Sequence, residues 1–353
     1  MKTFQSQVLH WYDQYGRKNL PWQQNKTAYR VWISEIMLQQ TQVTTVIPYF
    51  KKFMQHFPDV NALANAHIDE VLHIWTGLGY YSRARNLHRA ANKIVDEFSG
   101  ELPDNLDDLQ TLSGIGRSTA GAILALAYHK KAAILDGNVK RVLTRHFAVE
   151  GWSGDNRVAK QLWSIAENLT PEKRVADYTQ VMMDLGATVC TRSKPKCHLC
   201  PLHQTCVAFQ QNRQQELPHK KPKKALPERQ VFMMLLQHNN EVLLEKRPNI
   251  GIWGGLWSLP ECQSVEGIKT IAKEKYACTT GKPLQLPSFR HTFSHFHLDI
   301  TPVLLNVKTL SPEMMEDGQI IWYNTNQQPT IGLPQPIKKL LASFHDLHCK
   351  ASA

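Results

Sequence analysis

The sequence predicts two domains of different class: an all-α domain followed by an α+β domain. Three observations predict this. Apolar residues recur at helical spacing from the start of the chain to about residue 212, and strand-like alternation is scarce there. From Gln230 the pattern changes to short runs of strand character, VFMMLLQ and EVLLEKR, and later HLDITPVLLNV. Between the two lies a polar stretch rich in proline and lysine, LPHKKPKKALPER, with the composition of a tether. We set the expected boundaries at 1–212 for the helical domain, 213–229 for the linker and 230–349 for the α+β domain. A chain of 353 residues is long enough for such a division.

In the helical domain the predicted helices run through Val31–Phe53, Val60–Ile74, Leu87–Phe98, Leu106–Leu112, Ala120–Tyr128 and Val158–Leu169. Turns such as Phe57-Pro58-Asp59 and Leu102-Pro103-Asp104 separate them. Glu35, on the first, shares a stripe with Val31, Leu38 and Gln42. A carboxylate on a mostly apolar stripe is costly to bury ionised, so its pKa is pushed up, which prepares a general acid. The plain alternative is a part-exposed glutamate with a salt-bridge partner. Further on, Gly77-Leu78-Gly79-Tyr80-Tyr81 is a glycine turn ending in aromatics; Leu78 and Tyr80 on their own fit core packing equally well.

The stretch LSGIGRSTAGAILALAYHKKAAILDGNVKRVLTR, Leu112 to Arg145, offers two helix N-termini. At the first, Gly114 and Gly116 let backbone N–H groups face outward, which makes an anion site at a helix start. At the second, Asp136 begins a helix whose N–H groups favour its ionised form, and Asn138 stands ready to orient Asp136 or a water. A tight turn and an ordinary N-cap are the plain readings. Downstream, Cys190-x6-Cys197-x2-Cys200-x5-Cys206 places four thiols in a short, loop-rich span. Such a set binds one metal centre, and spacing alone admits zinc as well as iron–sulfur. Between the first two, Arg192, Lys194 and Lys196 point charge at phosphates. Cys262, Cys278 and Cys349 have no ligand spacing.

The formal net charge of +11 favours a polyanionic partner. No segment is apolar for long enough to span a bilayer, and the N-terminus has no signal-peptide core. The expected setting is the cytoplasm, where thiols stay reduced. The Lys220–Lys224 run is either a DNA-backbone contact or a solvated tether.

Several of these motifs carry a family resemblance. The L-x-G-x-G turn resembles the helix-hairpin-helix DNA-binding motif, here 112–121, in which the hairpin grips a phosphate and a downstream aspartate acts on the deoxyribose. The run LPWQ followed by WISEIMLQQTQV resembles the catalytic helix of MutY-type adenine DNA glycosylases. That resemblance implies that Glu35 protonates adenine and that Gln40 and Thr41 reach the DNA beside the estranged base. It also implies that Tyr80, with Leu78 beside it, wedges into the duplex next to 8-oxoguanine. The cysteine spacing matches the [4Fe-4S] loop, 190–206, of the endonuclease III and MutY superfamily.

Ser118 separates two branches of that superfamily. The endonuclease III-type glycosylases of oxidised pyrimidines carry a lysine there, able to form a Schiff base and cut the strand. Serine cannot, so the expected enzyme is monofunctional, although Lys140 lies near Asp136 in sequence and is able to trap an abasic site. Ser113 departs from the proline common in the family's hairpin. In the C-terminal half, EVLLEKRPNIGIWGGLWSLPE resembles a Nudix fold. Nudix hydrolases hold Mg²⁺ on a box of carboxylates; Gly255-x5-Glu261 survives here, and the next positions read Lys269, Thr270, Ile271, Ala272, Lys273 and Glu274, so that Thr270 and Lys273 replace two acids and break the metal cage. A recognition domain without hydrolase activity is expected, with Phe293-Ser294-His295 matching the MutY loop that contacts 8-oxoguanine.

The resemblance therefore implies a multidomain protein, an all-α helix-hairpin-helix glycosylase domain with an iron–sulfur loop plus a Nudix-like α+β domain. Its expected reaction is excision of adenine mispaired with 8-oxoguanine or guanine in base excision repair. Its expected partner is double-stranded DNA carrying that mispair, bound by a monomer at the bacterial nucleoid, away from membranes. The rivals are a bifunctional glycosylase/lyase on oxidised pyrimidines, a nucleotide hydrolase with a helical DNA-binding module, and a non-catalytic iron–sulfur DNA-binding protein.

Overall fold

The computed structural model describes residues 3–221, 225–310, 318–326 and 331–351. Its chain divides into two compact units: Met1–Asn65 with Arg85–Lys223, and Ala66–Ala84 with Lys224–Ala353. Among the described residues no helix is long and apolar enough to cross a membrane.

In the first unit, α1 (Phe4–Tyr15), α2 (Ala28–Leu38), α3 (Val43–His56) and α4 (Val60–Asn65) come before the 66–84 segment. That segment holds α5 (Ile68–Trp75) and the start of α6 (Ser82–Phe98). The first unit resumes in α6 and continues through α7 (Leu106–Thr111), α8 (Arg117–Ala127), α9 (Gly137–Phe147), α10 (Asn156–Leu169), α11 (Val175–Asp184) and the short α12 (Val207–Gln210). Side-chain caps fix several starts: Thr27 accepts from the Arg30 N–H, Asn105 from Asp108, and Asp155 from Arg157 and Val158. α8 is the central helix, with every side chain from Ala120 to Leu126 buried. It lies tight against the chain that follows; a Cβ on Gly121 would stand 2.2 Å from the Ala133 carbonyl oxygen.

Two expected helices are each interrupted. The run expected from Val31 to Phe53 breaks after Leu38, and Gln40 adopts a left-handed φ of 57°, which a right-handed helix cannot absorb. Gln42 is then the N-cap of α3 and not a member of Glu35's stripe. The run from Val60 to Ile74 breaks at Ala66–His67, where the His67 side chain caps the Asp69 N–H. Sequence periodicity also passed over α1 and α11.

The unit boundaries differ from the expected 1–212, 213–229 and 230–349. Residues 213–221 belong with the first unit, because Arg145 donates to the Leu217 carbonyl at 2.8 Å and Arg213 pairs with Glu150 at 2.7 Å. Residues 66–84 belong with the second, through an ion pair of Asp69 with Lys246 at 2.8 Å and a bond from the Tyr81 hydroxyl to the Leu333 carbonyl. Part of the Lys220–Lys224 run lies outside the described residues.

The second unit carries a mixed sheet. β1 (Glu228–His238) runs parallel to β8 (His297–Leu310), with Met234 opposite Val303. β2 (Glu241–Lys246) and β4 (Glu261–Cys262) pair with β1, β3 (Trp257–Ser258) and β9 (Ile320–Asn324) with β2, and β5 (Cys278–Thr280), β6 (Leu284–Gln285) and β7 (Phe289–Thr292) with β8, all antiparallel. Helix α13 (Ile268–Tyr276) covers one face, burying Ile268, Ala272 and Tyr276 against Met234, Leu236, Leu243, Val303 and Leu305. The last helix is α14 (Gln335–Ala351). Pro302 is tolerated inside β8 because its missing N–H faces the gap between β7 and β6, whose pairings end at Ile300 and begin at Val303.

Candidate active site and metal loop

One cavity of about 620 Å³ in the first unit gathers the residues that the sequence singled out from three separate segments. Glu35, Thr41, Ser118, Asp136 and Asn138 all line it. Glu35 sits on α2 among buried neighbours Trp32, Ser34, Ile36 and Met37. Burial, and then the Asp136 carboxylate, push the Glu35 pKa up to about 8. Glu35 is thus a neutral acid at neutral pH, with part of its surface open to the cavity.

Asp136 is the N-cap of α9. It accepts from the Val139 N–H at 2.8 Å and from the Asn138 side-chain amide at 3.1 Å. Asn138 in turn accepts from Arg141 at 2.9 Å, so both polar ends of its amide are spoken for. Of the two partners considered for Asn138, the amide reaches Asp136 directly. Arg141 also donates to the carbonyls of Gly186 and Cys190, both at 2.7 Å. A chain of hydrogen bonds therefore runs from Asp136 through Asn138 and Arg141 to the carbonyl of Cys190, the first of the four loop cysteines. Close approach makes it possible: a Cβ on Gly186 would meet Asn138 Cβ at 2.4 Å.

The Ser118 hydroxyl accepts from the Leu135 N–H at 3.0 Å. It anchors the segment that presents Asp136. Lys140 is not among the residues lining the cavity. Gln40 is exposed at the α2–α3 turn and lies outside the lining too.

At the hairpin, Gly114 has φ +83° and a Cβ there would meet Asn86 Cβ at 3.0 Å. Gly116 is different: it is the N-cap of α8 and a Cβ on it meets nothing within 4 Å. The packing of the protein itself does not require glycine at 116. Gly114→Ala is expected to lower stability by about 1–2 kcal/mol, whereas Gly116→Ala changes it by under about 0.5 kcal/mol. Thermal melts of the two variants check this.

The cavity also holds residues that sequence reading missed, including Arg17, Gln39 and Gln180, and it takes in Arg192 of the cysteine loop. Arg17 reaches the buried Asp184 at 2.7 Å, and Gln180 donates to the same carboxylate. A contact spanning 167 positions leaves no local signal.

The four cysteines, none of them in a disulfide, line one mostly apolar pocket together with Val142, Leu185 and Leu202. Burial raises the Cys200 thiol to about 12 and raises Cys197 and Cys206 as well. Arg145, 3% exposed, brings its guanidinium within 3.3 Å of Cys190 Sγ. A single tetrahedral zinc would draw its sulfurs to roughly 3.8 Å apart. Among the described residues the one trio of potential ligand atoms within 4.8 Å of one another is Glu150, Glu216 and His219, with no cysteine in it.

In the second unit, Phe293, Ser294 and His295 form the tip of the β7–β8 hairpin, closed by the Phe293 N–H to the Phe296 carbonyl at 2.9 Å. Ser294 and His295 are exposed. Phe293 is clamped, stacking on Phe296 at 4.6 Å and leaning on Trp253 at 5.5 Å. Glu261, the first carboxylate of the Nudix box, is ion-paired with Arg247. Leu78 is buried and Tyr80 is 49% exposed.

Residues 33–168 match the model of the HhH-GPD superfamily base excision DNA repair proteins, and residues 231–343 match the NUDIX domain. A solved thermostable thymine-DNA glycosylase is similar to this chain at 29% identity and a TM-score of 0.54, covering 59% of this chain and 95% of its own. An endonuclease III–DNA complex shares the fold at 20% identity, with a TM-score of 0.51, over 59% of this chain and 94% of that one. These matches define a protein with the helical fold of the base excision repair superfamily and a Nudix-like C-terminal domain.

The adenine DNA glycosylase of Buchnera aphidicola is 43% identical over 97% of both chains. The human adenine DNA glycosylase is 32% identical over 97% of this chain and 74% of its own length. The chain belongs to the adenine DNA glycosylase family and is an enzyme of that activity.

Proposed function

We propose that the enzyme removes adenine paired with 8-oxoguanine or with guanine, as a monofunctional glycosylase. The observation that carries this is one cavity lined by a neutral Glu35 and by the Asp136 carboxylate. A base must leave the stack to be cut, and the cavity has room for a purine. Glu35 gives its proton to the adenine ring, which makes the base a better leaving group. Positive charge then grows on the sugar, and Asp136 stabilises it as an anion held in place by Asn138 and the Val139 N–H. Ser118, tied to Leu135, offers no amine for a Schiff base.

The test is base release from a duplex with an adenine–8-oxoguanine pair, followed by strand analysis without and with alkali. Free adenine with strand breaks only after alkali is expected. Breaks without alkali, or release only from oxidised pyrimidines, would favour the bifunctional reading. The nucleotide-hydrolase reading is opposed by Arg247, which occupies the Glu261 carboxylate.

The open approach at Gly116, with Gly114, supports a phosphate grip at the hairpin; Gly116→Ala should weaken duplex affinity about tenfold by obstructing it, as a gel-shift titration would report. Gln40 and Thr41 are proposed to contact the DNA beside the lesion, and Tyr80, with Leu78 beneath it, to wedge the duplex. We assign Cys190, Cys197, Cys200 and Cys206 to a [4Fe-4S] cluster, supported by their spacing, by their lining one pocket and by Arg145 as a nearby positive charge. The cluster supplies a fixed anchor for the loop, and Arg141 connects that loop to Asn138.

Phe293, Ser294 and His295 are proposed to read 8-oxoguanine from their hairpin tip. Ser294→Ala should cut the preference for 8-oxoguanine over guanine by roughly tenfold, the scale of one hydrogen bond to a base. Equal discrimination in single-turnover assays would remove Ser294 from that role. A monomer acting on chromosomal DNA in a bacterial cytoplasm fits the bacterial relatives.

A further inference from the structure

The turn that carries Tyr80 is conformationally costly. Gly77, Gly79 and Tyr80 have φ of 102°, 75° and 49°, and a tyrosine in the left-handed region is unfavourable unless its surroundings impose it. Arg83, in the first turn of α6, supplies such surroundings. Its side chain is almost fully buried, with the residue 8% exposed. The guanidinium lies 5.2 Å from the centre of the Tyr80 ring and 5.5 Å from that of Trp75. Its Nη2 donates to the Gly79 carbonyl at 3.2 Å and reaches the Leu78 carbonyl at 3.4 Å. Trp75 donates to the same Gly79 carbonyl at 3.1 Å, and the Arg83 N–H bonds the Tyr80 carbonyl at 2.9 Å.

We infer that Arg83 is a positioning residue that sets the Tyr80 ring in its wedging pose before DNA arrives. The inference rests on the proposed wedge role of Tyr80. A planar cation between two rings fixes the tilt of the tyrosine, and the carbonyl bonds fix the backbone beneath it. Tyr80 stays about half exposed, which leaves surface for a base to stack on. Burial lowers the Arg83 pKa to about 10, so it remains a cation at neutral pH. A lysine keeps the charge but has neither the plane nor the fork, so it does only part of the work.

A double-mutant cycle tests this, with Tyr80→Leu, Arg83→Lys and the pair. The readout is affinity for a duplex holding 2′-fluoro-2′-deoxyadenosine, which resists cleavage, opposite 8-oxoguanine. Unmispaired duplex and a thermal melt serve as controls for general folding. Each single change is expected to weaken mispair binding about tenfold, and Arg83→Lys is expected to add nothing once Tyr80 is leucine. If Tyr80→Leu weakens binding but Arg83→Lys is silent, or if the two losses simply multiply, the positioning role of Arg83 is overturned. If Tyr80→Leu is itself silent, the wedge reading falls, and this inference with it. Lowered melting together with equal losses on mispaired and unmispaired duplex would assign Arg83 to folding alone and overturn the inference too.

Discussion

Glu35→Gln abolishes adenine release while leaving mispair binding in place. Glutamine has nearly the shape of the protonated acid, so the surface of the cavity is preserved and only the transferable proton is gone. Loss of a general acid costs about 10²–10⁴ in rate, and more where no other donor is near. Single-turnover excision and duplex affinity, measured on the same preparation, check both halves. Excision at near wild-type rate would remove Glu35 from the acid role.

The raised Glu35 pKa adds a pH signature. Wild-type excision should hold level at neutral pH and fall as pH rises through about 8, where the acid ionises. Stability follows the same sign. The native state keeps its proton at pH values where the unfolded chain, with an ordinary glutamate, has lost it. Folding is thus penalised progressively as pH rises from the usual carboxylate range to about 8. Glu35→Gln, neutral throughout, should escape that penalty, on the order of a few kcal/mol at the alkaline end. Melting temperatures of the two proteins should therefore diverge as pH rises.

Asp136→Asn is expected to be the other large loss, about 10³ in single-turnover rate or more, because it removes one charge from beneath the developing cation. Asparagine is as good an N-cap as aspartate and still accepts from the Val139 N–H, so α9 should persist and melting should shift by less than about 1 kcal/mol. Affinity for DNA should hold or improve, since an anion facing a polyanion has been neutralised. A variant that excised adenine normally would show that the aspartate only caps a helix.

What was legible in the sequence were features whose cause is local. An N-cap such as Asp136 acts over three residues, the cysteine spacing spans a single loop, and a glycine turn announces itself. The break after Leu38 was not legible, because periodicity carries on across it while Gln40, a residue with no particular liking for the left-handed region, makes the turn. Arg17 on Asp184, Gln180 in the cavity wall, and the ties of residues 66–84 to the second unit come from distant segments meeting. Nothing in Arg17 or Asp69 by itself names the partner. The hydrogen bond that gives Ser118 its structural task was also hidden: the residue type announced only what it could not do.

The ion pair between Arg247 and Glu261 has a wider consequence. A hydrolase of this architecture has to keep its acidic groups apart by loading them with divalent ions from solution. Here a covalently attached counterion is always present, at fixed stoichiometry. The C-terminal domain should therefore hold its shape in chelating buffers and through swings in cellular magnesium.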